Sequence, residues 1–598
     1  MPQTVFRILV FGIVLKSLSA YAGSDLPAQP EILPVAQLRP GMHGLTYTVM
    51  QGNEIVPLQT EILGVAKNAS GPGLDLIIGR LIDEKTRLTG AVHGMSGSPL
   101  YIDGKLVGAL SQRIATFEKD GHCGFTPIAD MLKVERLVDI PPQARQQSEG
   151  LPPPLMNFTG LLPKNMSATE SDFSPLAVPI SVSGVRPDIF SRWLARCGLG
   201  REMLLTVPGG GSMSADSAGA INHAIDIQPG SPLAAVFMSG DISVAGTGTC
   251  TWRKDNRILA FGHPMFGFGK SELPMAGAEI VTTVPSYERP YKLSNTSPII
   301  GTIFQDRVSA IAGILGDIPP LATYLIERTH EGQKLPDLKG TFAPHPVLTP
   351  VLIGTAMESA LSDSLEMART LSVHMTGELT FVNHPALRLD GIFSGEDNTL
   401  PDLLASTLTP LEKLFSQRDD HLVAKSLHVS FDTQERMKNW AIESIHADSH
   451  EVEPGGQIHL TVDLREEYGA RTSQTFTIHL PENIKSGAVS IRVGGSSELN
   501  DNRLTRDIQY ARSVDEMIDL FNQRHLQDRV YVQAVSPAPG VVVRDQEMPA
   551  LPGSVRSVME GSNSSLTSVP LPEQVWLELS AQLPGVVHGR QEVVIAVK

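Results

Sequence analysis

Apolar residues spaced by two and cut short by Pro or Gly constrain this chain more than any other feature. Ile458, Leu460, Val462 and Leu464 follow Pro454-Gly455-Gly456; Phe476, Ile478 and Leu480 run up to Pro481; Val489, Ile491 and Val493 repeat the pattern. Neighbouring side chains of a strand point to opposite faces, so these runs predict half-buried antiparallel strands and a β-sandwich-like domain over 441–598. Near the other end, apolar segments at 98–102 and 105–110 flank Asp103-Gly104, the favoured pair for a two-residue hairpin turn. With 44 Pro, 53 Gly and only 5% aromatic residues, the chain suits many short strands better than long helices. Its fold class reads as mainly β.

A chain of 598 residues has room for three or four domains. Arg7, the apolar run 8–15 and Ala20-Tyr21-Ala22 read as an export signal over 1–22. Lys16 ends that run short of the ~20 residues a membrane-spanning helix needs. The expectation is an exported chain, periplasmic or extracellular, with no transmembrane span once the signal is removed. Residues 23–140 form a first strand-and-turn region, with a short helix expected from Ile128 to Val138. Pro141-Pro142 and Pro152-Pro153-Pro154 mark a linker over 141–174. A second strand-rich region follows at 175–345 and a mixed α/β region at 346–440. There, Leu404, Leu408, Leu411 and Phe415 share one helical face, and Thr409-Pro410-Leu411-Glu412 reads as a helix start or kink. In the last domain Ser513 and Glu516 cap a helix that turns Val514, Met517, Ile518 and Phe521 inward. No internal repeat is evident.

Charge and cysteines narrow the function classes. Lys and Arg number 48 against 64 Asp and Glu, a formal net charge of −16, and no basic run exists to meet a phosphate backbone; nucleic acid is not an expected partner. Cys123, Cys197 and Cys250 allow one disulfide and one free thiol, with the pair undetermined. Without a CxxC or HExxH spacing, neither a metal site nor a cofactor is expected. Gly269-Lys270-Ser271 imitates the end of a P-loop, but Pro264 stands where that loop needs its first glycine, so nucleotide is not an expected partner either.

Gly94-Met95-Ser96-Gly97-Ser98-Pro99 is the segment suited to chemistry. A nucleophilic serine needs an exposed hydroxyl and backbone N–H groups aimed at the developing oxyanion. The glycines allow a tight turn expected to expose Ser96 Oγ, with the Gly94 and Ser96 N–H groups as oxyanion donors. The alternative is a small-residue turn that only reverses the chain. Ser98 is the lesser candidate, since it precedes Pro99. For the base, His263 closes Leu259-Ala260-Phe261-Gly262-His263-Pro264, a strand end where a barrel-rim site would form. His93 is nearer in sequence but lies in the apolar run before the turn. His122 beside Cys123 makes a weak nucleophile pair, because adjacent strand residues face opposite ways. Asp83 and Asp75 are the carboxylates upstream of the serine.

Taken together, the 94–99 segment, Asp103-Gly104-Lys105-Leu106-Val107-Gly108-Ala109, Gly124-Phe125-Thr126-Pro127-Ile128, and Thr247-Gly248-Thr249 followed by Ala260-Phe261-Gly262-His263 resemble the SpoIVB-type serine peptidase family. Arg39-Pro40-Gly41-Met42-His43-Gly44 and Ile62-Leu63-Gly64-Val65 also look like the opening of that domain. The likeness covers roughly 35–140 and 235–315. It implies a chymotrypsin-like double β-barrel, one half in 23–140 and the other in 175–345. It also implies a triad of Ser96, His263 and Asp83, with Asp75 in reserve, cutting a protein or peptide substrate or the chain itself. The family runs His, Asp, Ser, whereas here the serine half comes first, a permuted order that triad geometry tolerates. Gln228-Pro229-Gly230-Ser231-Pro232-Leu233 resembles a phrase of the family's PDZ module. The other reading is a non-catalytic envelope binding protein that retains the peptidase fold.

Overall fold

The alternating segments of the first half close into two rings of strands. A computed structural model describes residues 30–114, 120–139, 173–196, 199, 204–209, 226–367, 370–396, 399–416, 422–467, 469–499, 508, 511–543, 546–559 and 568–598. The expected export signal, both proline runs of the expected linker and Cys197 lie outside these residues. The described chain is mainly β and divides into two compact units, at Pro320 and Leu321. Residues 321–345, grouped with the second strand-rich region by sequence, therefore belong to the C-terminal unit.

The first ring comprises β1 (His43–Val49), β2 (Ile55–Gly71), β3 (Leu74–Leu81), β4 (Pro99–Ile102), β5 (Lys105–Ile114) and β6 (His122–Pro127). All its pairings are antiparallel, in the order β1-β2-β3-β6-β5-β4, and β4 returns to β1 to close the barrel. The β4–β5 turn has Asp103 at φ 49° and Gly104 at φ 74°, the left-handed pair a two-residue hairpin needs. Inside lie Leu58, Ile62, Ile77, Leu100, Leu110, Cys123 and Phe125. A short strand, β7 (Phe173–Pro175), adds to β5.

After β8 (Val178–Ser183) and β9 (Leu204–Pro208), the second ring takes β10 (Pro232–Gly240), β11 (Ser243–Lys254), β12 (Arg257–Ala260), β13 (Gly269–Val284), β14 (Tyr291–Arg307) and β15 (Ala310–Leu315). Its order is β10-β11-β12-β15-β14-β13, closed by β13 on β10 and again antiparallel throughout. Numbered from its own first strand, each ring thus runs 1-2-3-6-5-4. The repeat is one of topology and left no trace in the side-chain pattern. Closure removes the exposed edges that such strands would otherwise present. Gly269-Lys270-Ser271 simply opens β13. The 228–233 phrase is the turn into β10, where Ser231 N–H donates to the Gln228 carbonyl and Gln228 N–H to Ser231 Oγ.

Between the rings runs a shared core of Tyr101, Leu106, Ala109, Leu259, Ala310 and Ala312, covered by Ile128, Met131 and Val134 of α1 (Ile128–Glu135). A tighter joint lies beside it. Phe261, directly after β12, is buried at φ 68°, a left-handed conformation that costs a bulky residue roughly 1–2 kcal/mol. It fits because two glycines make room. A methyl group on Gly248 would fall 2.3 Å from Phe261 Cε1, and one on Gly97 would fall 2.5 Å from Phe261 N and 2.0 Å from the Thr249 carbonyl oxygen. Three carbonyls of the 94–97 loop are also held by β11. Thr249 Oγ1 donates to Gly94 O at 3.0 Å, Thr249 N–H to Ser96 O at 2.8 Å, and Thr251 Oγ1 to Gly97 O at 2.7 Å.

The C-terminal unit contains the mixed region and the sandwich. In the mixed region, strand Ala322–His330 pairs in parallel with Ala424–Gln434, and that strand pairs with Leu371–Phe381. Helices Leu348–Met367 and Thr399–Phe415 accompany this sheet, and Pro410 sits inside the second helix rather than beginning it. The sandwich buries Ile458, Leu460, Val462, Leu464, Phe476 and Ile478 of one sheet with Val489, Ile491, Val493, Val530 and Ile595 of another, as the period-two runs require. Ser513 Oγ caps helix Val514–Asn522 through Glu516 N–H at 3.1 Å, while the Glu516 carboxylate turns back to Arg512 N–H at 2.7 Å.

The joint yields a direct test. Gly97→Ala places a methyl group on backbone atoms at φ 96°, where neither rotamer change nor side-chain movement relieves the clash. Overpacking and left-handed strain together predict a loss of about 3 kcal/mol or more, read as a lower denaturation midpoint by tryptophan fluorescence. A wild-type midpoint would show that the loop does not seat against Phe261.

Candidate functional site

The two candidate side chains leave equivalent points of the two rings. Ser96 lies on the connection from the third strand of the first barrel, β3, to its fourth, β4. His263 lies on the connection from the third strand of the second, β12, to its fourth, β13. The Gly97–Phe261 joint brings these connections together. Thr126 Oγ1, at the end of β6, donates to Gly262 O at 2.6 Å and so ties the histidine connection to the first barrel as well.

The joint also buries what it brings together. Ser96 and Ser98 are 0% exposed, His263 4% and His93 8%. The expected exposure of Ser96 is thus overturned: Gly97 makes close packing room under Phe261 rather than an open turn. Ser96 Oγ, Ser98 Oγ, His93 Nδ1 and His263 Nε2 are all buried without a hydrogen-bond partner among the described residues. Ser96 Oγ and His263 Nε2 therefore do not bond each other in this state. Among the described residues the Gly94 and Ser96 N–H groups donate to nothing, whereas Met95, Gly97 and Ser98 N–H donate to Val92, Leu110 and Met95 carbonyls. The two expected oxyanion donors are the loop's free ones.

Tautomer and charge of His263 follow from its one bond. Nδ1 stands 2.7 Å from Pro264 O, and a carbonyl only accepts, so Nδ1 carries a proton and the neutral ring keeps its lone pair on Nε2. Burial pushes the ring down to about 4, against a smaller upward pull from that carbonyl. His93 is likewise pushed down to about 4, by burial first and then by the positive charges of Arg113 and Arg289, against a smaller upward pull from the Ala177 carbonyl.

Neither expected acid reaches the ring. Asp83 caps the short turn Glu84–Thr86, accepting from Lys85 N–H at 3.0 Å and from Gln59 N–H at 3.4 Å. Asp75 is engaged by Lys67 Nζ at 2.7 Å and by Asn68 N–H at 3.1 Å. Proximity in sequence misled here, because β3 carries both carboxylates to local turns. The carboxylate that engages the turn after the histidine is Asp306, at the end of β14 and fully buried. Its Oδ1 accepts from Met265 N–H at 2.8 Å, and its Oδ2 from Phe266, Gly267 and Phe268 N–H at 2.8, 2.9 and 3.4 Å. Burial pushes its carboxyl above the usual carboxylate range, against a smaller downward pull from the four N–H groups.

Lys292 was also missed. Its N–H donates to the His93 carbonyl, and a methyl group on Gly94 would lie 3.2 Å from its Cβ. The amine is fully buried, donates to Thr48 Oγ1 at 2.7 Å and is pushed down to about 7 by burial. The signal available in sequence was weak: a lysine at the start of an alternating strand reads as a solvent-facing residue. Cys123 and Cys250 are both buried, and Cys123 sits in the first barrel's core with its thiol toward Gly79 O. His122 starts the same strand, on its other face. Among the described residues no group of His, Cys, Asp and Glu could hold a metal, and no helix is long and apolar enough to cross a membrane.

No family model matches this chain, and neither a curated protein nor a solved structure is significantly similar to it.

Two pH dependences follow. Unfolded histidines take up protons below about 6.5, while His263 and His93 in the folded chain stay neutral to about 4. The unfolded state then binds more protons, so stability falls as pH drops from about 6.5 to 4. Lys292 acts alike at higher pH: its amine titrates at 10.5 when unfolded and about 7 when folded, so stability falls as pH drops from 10.5 towards 7. Lys292→Met is expected to raise Tm at pH 7, with the gain shrinking towards pH 10; equal Tm gains at both would refute the buried neutral amine.

Proposed function

We propose that this chain is an exported serine endopeptidase of SpoIVB type, with Ser96 as nucleophile and His263 as base. One observation carries the reading: at the joint of two identically ordered barrels, Ser96 Oγ, the lone pair on His263 Nε2 and two backbone N–H groups are all left without partners. Buried polar groups are normally satisfied, and one left unpaired costs about 1–3 kcal/mol. Clustered on the GxSGxP loop and its histidine, they are the groups an acyl transfer uses.

In the reaction, Ser96 Oγ attacks the scissile carbonyl carbon and its proton passes to His263 Nε2. The carbonyl oxygen becomes an oxyanion held by Gly94 and Ser96 N–H. Collapse breaks the C–N bond, and His263 returns the proton to the leaving amine. Water then attacks the acyl-serine by the same steps and releases the acid. The closed state must open for a substrate to enter, which suits an enzyme that acts on itself or is released by a partner protein.

The same closure favours a second reading, an envelope binding protein that retains the fold. A fluorophosphonate probe separates the two. The wild-type chain is expected to be labelled, Ser96→Ala to lose all label and Ser98→Ala to keep it. His263→Ala is expected to slow labelling by about 10²–10⁴-fold, the usual worth of a general base. A wild-type chain that takes no label between pH 6 and 9 supports the binding protein.

A further inference from the structure

The Pro264–Met265 peptide unit touches both His263 and Asp306. Its C=O accepts from His263 Nδ1 at 2.7 Å, and its N–H donates to Asp306 Oδ1 at 2.8 Å. A peptide unit is planar, so fixing one end fixes the other. The next three N–H groups close on Asp306 Oδ2, so the whole 265–268 turn wraps one carboxylate. Asp306 itself is anchored at the end of β14, where its backbone pairs with Gly269 and Ile311.

We infer that Asp306 is the positioning carboxylate of His263, acting through the Pro264–Met265 peptide rather than by touching the ring. The inference rests on the Ser96/His263 reading for its catalytic meaning and adds to it the acidic member that Asp83 and Asp75 do not supply. The relay runs from carboxylate to N–H, across the peptide to C=O, and on to Nδ1–H. Hydrogen bonds in such a chain polarise one another, so the Asp306 oxygen that accepts from Met265 N–H strengthens the carbonyl as an acceptor. Two consequences follow for the ring: Nδ1 keeps its proton, and Nε2 keeps the lone pair. When His263 takes the serine proton, the positive ring faces the oxygen of a dipole already oriented towards it. No proton leaves Nδ1.

The test reads the ring directly. In the full chain with ¹⁵N-labelled histidine, long-range ¹⁵N–¹H NMR assigned with His263→Gln reports which nitrogen bears the proton. The wild type is expected to show the Nδ1–H tautomer alone. Asp306→Asn, which puts an NH₂ among the N–H donors, is expected to show a mixture. It should also acylate Ser96 with the fluorophosphonate roughly ten- to a hundredfold more slowly, the scale of a small misplacement. Its pH–rate inflection should move down, because the positive ring loses part of the acceptor that supports it. An unchanged tautomer, rate and inflection in Asp306→Asn would overturn the inference. If that variant does not fold, the wild type still decides: an Nε2–H tautomer overturns it. A wild type with the expected tautomer but no acylation instead overturns the peptidase reading and leaves the positioning intact.

Discussion

Phe261 is the part on which the rest of the first unit depends. Its backbone is left-handed, its ring fills the space that Gly248 leaves, and its N–H side faces Gly97 across a gap too small for a methyl group. That contact makes the 94–97 loop of one barrel a packed layer of the other. Once the loop is seated, Thr249 and Thr251, two apart on one strand and therefore on one face, take up its carbonyls. With the carbonyls turned to β11, the Gly94 and Ser96 N–H groups are left over. Packing thus produces the one chemically open feature of the loop.

The same packing has an energetic cost. Two serine hydroxyls, two histidine nitrogens and a lysine amine without a counter-ion are taken out of water at this joint. Replacing them by apolar groups would stabilise the fold, since unpaired buried polar groups are unfavourable. The first barrel's interior and the core between the rings offset the loss with Leu, Ile and Phe at close packing. The cost is concentrated where two loops meet, and the burial that imposes it also keeps His263 neutral down to about 4.

Much of the fold was legible in local pattern. The Asp-Gly hairpin, the Ser513 cap and the sandwich strands each depend on residues within a few positions of one another, and each appears where expected. Pro410 is an exception in detail, because neighbours that bury Leu403, Leu408 and Leu411 hold the helix together across it. The topological repeat was illegible. Strand order is set by which edges pair, and alternation is the same whichever partner a strand finds.

For the site, the sequence by itself determined the residue types: a serine between glycines, a Gly-His-Pro turn at a strand end, and threonines on alternate positions of a strand. Those follow from backbone freedom and period alone. Only the tertiary structure decided that the serine is buried, that Asp83 and Asp75 serve local turns, and that Asp306 engages the turn after the histidine. Asp306 follows His263 by a full hairpin of two long strands, β13 and β14, that folds back on itself. Its four N–H partners become donors to it only when that hairpin pairs Gly269 with Asp306, and no local pattern of charge or hydrophobicity records a contact between the far ends of a hairpin.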